Sequence, residues 1–90
     1  MRQTQAQLSG QVALLSCGHG PVGPVRWSCQ HSPDSAIRDI GNNERFHLRG
    51  SSLIILNVES ADSGTYNCSD TAGEIHAIEL TVLGKYLTEY

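Results

Sequence analysis

Apolar residues in this chain come in short runs, separated by segments dense in Gly, Pro, Asn, Asp and Ser. Residues 1–7 are polar without periodicity and read as a loose arm or a weak first strand. Residues 12–17 (VALLSC) form a strand by composition and continuity. Residues 18–24 (GHGPVGP) carry turn formers at nearly every position and make a loop. The next strand is 25–30, which holds the one tryptophan. Residues 31–44 are polar and broken by Ser32-Pro33-Asp34 and Gly41-Asn42-Asn43. A short strand at 45–48 stops at Gly50, and 52–58, rich in β-branched residues, is a further strand. Residues 59–64 turn; strands 65–69 and 75–83 follow, joined by a polar loop. Several short strands with turn signals between them predict an all-β sandwich.

One motif stands out along these strands. Cys17 ends the first run, Trp27 sits in the second, the apolar run 53–56 follows, and Asp62-x-Gly64-x-Tyr66-x-Cys68 comes next. In residue type, order and spacing this resembles a domain of the immunoglobulin superfamily, over about residues 5–84. The resemblance implies an immunoglobulin-like β-sandwich of two antiparallel sheets with one inter-sheet disulfide, Cys17 to Cys68. It implies that Trp27 lies against that bridge, that Leu53 points into the core and that Tyr66 makes the tyrosine corner. Variable and intermediate domains place an Arg and an Asp where Arg45 and Asp62 stand, as an ion pair closing one end of the sandwich. About 26 residues separate Trp27 from Leu53, too few for the two extra edge strands of a full variable domain. The expected type is therefore shortened variable-like or intermediate. Gln30 and the segment 80–84 look variable-like, but the Phe-Gly-x-Gly bulge is missing, and 74–77 (EIHA) stands in its place.

Ninety residues allow one domain, expected at 1–84, with 85–90 as a tail toward a stalk or a further domain. At this size a single core is marginal. A bridge closing a loop of about 50 residues contributes roughly 4 kcal/mol in the chain-entropy model. Such a bridge implies an oxidising compartment: secreted, or the extracellular side of the plasma membrane. The formal charge is −3, from 6 Lys/Arg against 9 Asp/Glu, with no basic stripe, so no nucleic-acid partner is expected. No run approaches the ~20 apolar residues of a membrane span, so this segment is not expected to insert in a membrane. No basic-then-apolar leader opens the chain, and Met1 is expected to be an added start, with a leader and whatever follows Tyr90 lying elsewhere.

Alternation sets the faces once the cysteines point inward. Ala13 and Leu15 then face in, and Val12 and Leu14 face out. With Leu53 and Ile55 inward, Ile54 and Leu56 face out on the neighbouring strand. These four are expected to form one outward apolar patch that buries against a second domain or a twin copy. Leaving them wet forgoes several kcal/mol at roughly 25 cal/mol per Å2, and clustered exposed apolar residues mark contacts. The opposite sheet presents Arg26, Ser28, Gln30, Asn67, Ser69, Glu79 and Thr81, a polar face of small residues without aromatic anchors.

Other residues offer chemistry. Cys29 is the odd cysteine, read as a buried free thiol, with an intermolecular disulfide as the alternative. Cys17-x-His19 and Cys29-x-His31 repeat a Cys-x-His spacing, but a disulfide sulfur is a poor zinc ligand, so no metal is expected. Asn67-Cys68-Ser69 meets the glycosylation rule. No nucleophile elbow, triad order or phosphate loop is present, so neither catalysis nor a cofactor is expected. The resemblance implies an extracellular protein-recognition module of an immune-type cell-surface receptor, binding a protein ligand or co-receptor and able to self-associate. Its recognition loops are expected at 19–22, opening with His19, and at 70–74, bounded by Asp70 and Glu74. Two alternatives are a cell-adhesion or structural repeat and an accessory domain of an enzyme-linked receptor.

Overall fold

A computed structural model describes residues 2–17, 25–69 and 73–84, with the backbone alone at Arg2. The expected loop at 18–24, with His19, the expected contact residue Asp70 and the tail 85–90 lie outside the described residues. Eight strands appear among the described residues: β1 (Arg2–Leu8), β2 (Ala13–Ser16), β3 (Arg26–Gln30), β4 (Arg38–Ile40), β5 (Phe46–Arg49), β6 (Ser52–Ile55), β7 (Gly64–Ser69) and β8 (Ile75–Leu83). A one-turn 3-10 helix, Ser60–Asp62, links β6 to β7. The strands form two layers, a five-stranded sheet ordered β1-β8-β7-β3-β4 and a three-stranded sheet ordered β2-β6-β5.

The core lies between the layers and follows the alternation of side chains. β2 contributes Ala13 and Leu15, β6 Leu53 and Ile55, β7 Tyr66 and Cys68, and β8 Ile78, Leu80 and Val82, all buried. Cys17 and Cys68 are bonded across the layers, with Cα atoms 6.0 Å apart and a sequence separation of 51. Trp27, on β3, stands directly opposite Cys68 on β7. Its ring is buried, and its indole nitrogen has no hydrogen-bond partner among the described residues.

The first departure from the expected pattern is β1. It pairs with β8 in parallel, from Arg2 opposite Ala77 to Leu8 opposite Leu83. The expected purely antiparallel sheets therefore hold one parallel pair. Polar RQTQAQL has no apolar stripe to bury; what orders it is the row of backbone donors and acceptors that β8 presents along its free edge. The side chain of Gln5 adds a tie to the other layer by donating to the Leu14 carbonyl at 3.2 Å.

The second departure is β4, which arises inside the polar segment 31–44. Arg38–Ile40 pairs with β3, placing Ile40 opposite Trp27. A three-residue edge strand with one core-facing apolar residue leaves no periodicity to read. Gly41-Asn42-Asn43 then acts through its side chains. The Asn43 carbonyl oxygen accepts the N–H groups of Arg45 and Phe46, each at 2.8 Å, and that of Asn42 accepts the N–H of Leu48 at 2.8 Å. These bonds set the start of β5. β6 ends at Ile55, short of the expected 58, because the chain bends at Asn57 with φ 53°; Val58 beyond the bend is still fully buried.

Candidate recognition surfaces

The Asp-x-Gly-x-Tyr-x-Cys stretch builds a closed polar corner at one end of the sandwich. Asp62 is buried at the end of the 3-10 turn, and its carboxylate accepts the Glu59 N–H at 2.8 Å and a guanidinium N–H of Arg45. Arg45 also donates from Nε to the Leu56 carbonyl at 3.3 Å and lies over the Phe46 ring, 5.2 Å from its centroid. The Tyr66 hydroxyl donates to the Asp62 carbonyl at 2.6 Å, closing the corner from β7. Burial, with the neighbouring Cys29 and Asp62 adding, pushes the Tyr66 phenol well above its ordinary range. Gly64 is needed for a different reason. Its φ is 153°, and a Cβ there would stand 2.7 Å from the Gln30 carbonyl oxygen and 2.9 Å from the His31 Cα. β7 thus begins where it passes too close to the end of β3 for any side chain.

Cys29 is buried on β3 and unbridged. His31 Nδ1–H donates to the Ser63 carbonyl at 3.1 Å, which leaves Nε2 as an acceptor, 3.8 Å from the Cys29 sulfur. Burial raises the thiol above its ordinary value, the Arg38 charge opposes that rise, and Asp62 adds to it. This is a packed, protonated thiol rather than an activated nucleophile. Among the described residues no three His, Cys, Asp or Glu side chains gather as they would around a metal ion.

The outward apolar residues fall on the three-stranded sheet. Leu14 pairs with Ile54 across β2 and β6, and Ile54 pairs with His47 across β6 and β5, so the three lie in one row on the outer surface. Val12 and Leu14 are each 54% exposed, whereas Ile54 and Leu56 are half-buried. The four expected wet side chains are therefore two wet and two sheltered. Ile54 is flanked on both sides, and Leu56 lies past the end of β6, with its N–H bonded to the Arg45 carbonyl at 2.9 Å.

The outer surface of the five-stranded sheet is mostly small and polar but less uniformly so than expected. Ile75 is 66% exposed on it, and Leu8 and Leu83 form an exposed pair where β1 and β8 end side by side. Counting outward from Ile78 reaches Ile75 by alternation alone. The Leu8–Leu83 pair depends on the parallel register, which no local pattern signals. Ile37, 62% exposed, precedes β4 in a polar segment whose pattern signals neither. Of the expected recognition-loop residues, Glu74 is exposed, and its carboxylate lies 3.7 Å from His76 Nε2. Asn67 is half-buried near the centre of the five-stranded sheet, opposite Ser28 on one side and Ala77 on the other.

No family model matches the chain. Among solved structures, the extracellular domains of the voltage-gated sodium channel beta4 subunit superpose with a TM-score of 0.73 at 21% identity, over 93% of this chain and 87% of that one. Those structures are described as parallel homodimers that explain a role in cell–cell adhesion. The N-terminal four immunoglobulin domains of Dscam1 isoform 7.44 match with a TM-score of 0.80 at 25% identity, over 92% of this chain and 22% of that one. Isoform 6.44 matches at 0.76 and 26%, over 90% and 22%. This chain spans about a fifth of the length of those Dscam1 fragments.

Proposed function

Because this chain is a domain of the immunoglobulin superfamily, we propose that it works outside the cell as a protein-recognition module of an immune-type cell-surface receptor. It binds a protein partner, or a second copy of itself, through the outer face of β2, β6 and β5. The observation that carries this reading is the row Leu14–Ile54–His47 with Val12 beside it. There, two apolar side chains each 54% exposed adjoin two that are half-buried. A partner that covers Val12 and Leu14, each 54% exposed, gains about 1 kcal/mol per side chain, roughly half of what full burial of such a residue is worth. The polar corner at Arg45 and Asp62 borders that face and holds its strands in place. Exposed Glu74 belongs to the second, loop-based contact, together with Asp70 and His19.

Adhesion by self-association is the second reading, favoured by the homodimers and adhesion role described for the beta4 domains. Both readings meet the same experiment. Replacing Leu14 and Ile54 together by Thr is expected to leave the fold intact, to abolish concentration-dependent self-association in sedimentation equilibrium, and to abolish staining of partner-bearing cells by multimers of the chain. Unchanged association together with unchanged staining overturns the assignment to this face. Bead aggregation by the unaltered chain alone selects the adhesion reading; staining of cells without bead aggregation selects the receptor.

A further inference from the structure

We propose that Asn67 is an N-glycosylation site, filled before the domain folds and in competition with closure of the Cys17–Cys68 bridge. The acceptor is Asn67-Cys68-Ser69, with no proline at the middle position. In the folded domain the Asn67 side chain is half-buried and faces away from the core. Asn67 lies on the outer face of the five-stranded sheet, with small residues as its immediate neighbours. Ser28 and Ala77 stand opposite it, and Thr65 and Ser69 are its same-face neighbours along β7. None of the hydrogen bonds among the described residues engages its carboxamide. The residues directly beside Asn67 are thus small, with the longer Arg26, Gln30, Ile75 and Glu79 standing one step further out on the same face, while the face across the sandwich carries Val12, Leu14, Ile54 and Leu56.

The folded state also dictates when the sugar is added. β7 is hydrogen-bonded on both edges, to β3 and to β8, so its backbone is not free to bend into the site of a transferase. Cys68, the middle residue of the acceptor, is held to Cys17 from 51 positions upstream. Transfer therefore belongs to the unfolded, reduced chain. In that step the Asn67 amide nitrogen bonds to the anomeric carbon of an oligosaccharide carried on a polyisoprenyl diphosphate. The bond from that carbon to the diphosphate oxygen breaks, the diphosphate leaves with the electron pair, and one amide proton passes to a base. Nothing is oxidised or reduced. Each chain that closes its bridge first escapes modification, so the secreted product is a mixture. A glycan on Asn67 stands over β3, β7 and β8 and leaves the outer face of β2, β6 and β5 open to protein partners.

The experiment is secretion of the whole chain from animal cells behind a cleavable leader, followed by peptide-N-glycosidase F and mass spectrometry. The unaltered chain is expected as two gel bands, the upper collapsing to the lower on digestion and leaving an aspartate at position 67. Ser69→Thr is expected to shift material into the upper band, and Ser69→Ala to remove that band while keeping the asparagine. Asn67→Gln is a second loss variant should one of them fail to be secreted. A single unshifted band from the unaltered chain overturns the site, whatever the threonine variant does. A single, fully shifted band supports the site and overturns the competition with the disulfide. None of these outcomes depends on which face binds a partner.

Discussion

The Asp62 corner and the outer face of β2, β6 and β5 lie next to each other and are opposites. At the corner every strong polar group has found its partner within the chain. Asp62 holds Arg45 and the Glu59 N–H, and its carbonyl receives Tyr66. On the face, Val12 and Leu14 remain in water although the fold places them beside Ile54 and Leu56. The lesson is that a region complete within one chain contributes to stability, whereas a region left incomplete is where a second chain has something to offer. Substitutions should separate accordingly, with the corner and the clamp changing unfolding free energy and the face changing association.

The largest test removes the tie between the layers on which both regions depend. Cys17→Ala with Cys68→Ala is expected to cost about 4 kcal/mol, by the loop-entropy estimate, read as a lower urea midpoint. Association should then fall only as far as the folded fraction falls. Next come the corner substitutions. Asp62→Asn leaves a half-buried guanidinium without its charge partner and should cost about 1–3 kcal/mol. Gly64→Ala forces a methyl group into the Gln30 carbonyl and should cost about 1–3 kcal/mol as overpacking. Equilibrium unfolding measures both, and a change in self-association at matched folded fraction would break the comparison.

Tyr66→Phe is smaller, about 1 kcal/mol for one hydrogen bond, and brings a pH signature. Cys29 and Tyr66 both titrate above their ordinary values of 9.0 and 10.0 because burial disfavours their charged forms. The stability that this represents is fully present below those ordinary values and is lost as the pH rises through the folded ones. Unfolding free energy should therefore decline above about pH 9, and less steeply in the Phe variant. The smallest effect on stability is expected on the face. Leu14→Thr should change the unfolding free energy by under about 1 kcal/mol, since half of the side chain is already wet. It should still weaken association, and a large stability loss without that weakening would make Leu14 an ordinary core neighbour.

Much of this contrast can be read from local residue patterns. The corner is legible through the family resemblance, since Asp62, Gly64, Tyr66 and Cys68, which carry it, lie within seven positions on one turn and one strand. Leu14 and Ile54 are legible by a parity argument from Cys17 and Leu53. Parity tells which way a side chain points but not how much of it stays wet. Ile54 and Leu56 are half-buried because of what flanks them on β2, β5 and the bend at Asn57. Ile75 follows from the same parity argument, whereas the Leu8–Leu83 pair depends on the parallel register.

The sequence determined the class of fold through its short runs and turn signals, and the Cys17–Cys68 clamp and the corner through the family resemblance that its Cys, Trp and Asp-x-Gly-x-Tyr-x-Cys order carries. Only the assembled sandwich decided that 2–8 runs parallel to β8, that Arg38–Ile40 joins β3 and that two of the four outward apolar residues are sheltered. Those outcomes depend on backbone edges and flanking side chains supplied by distant segments, which become neighbours only after the layers have closed.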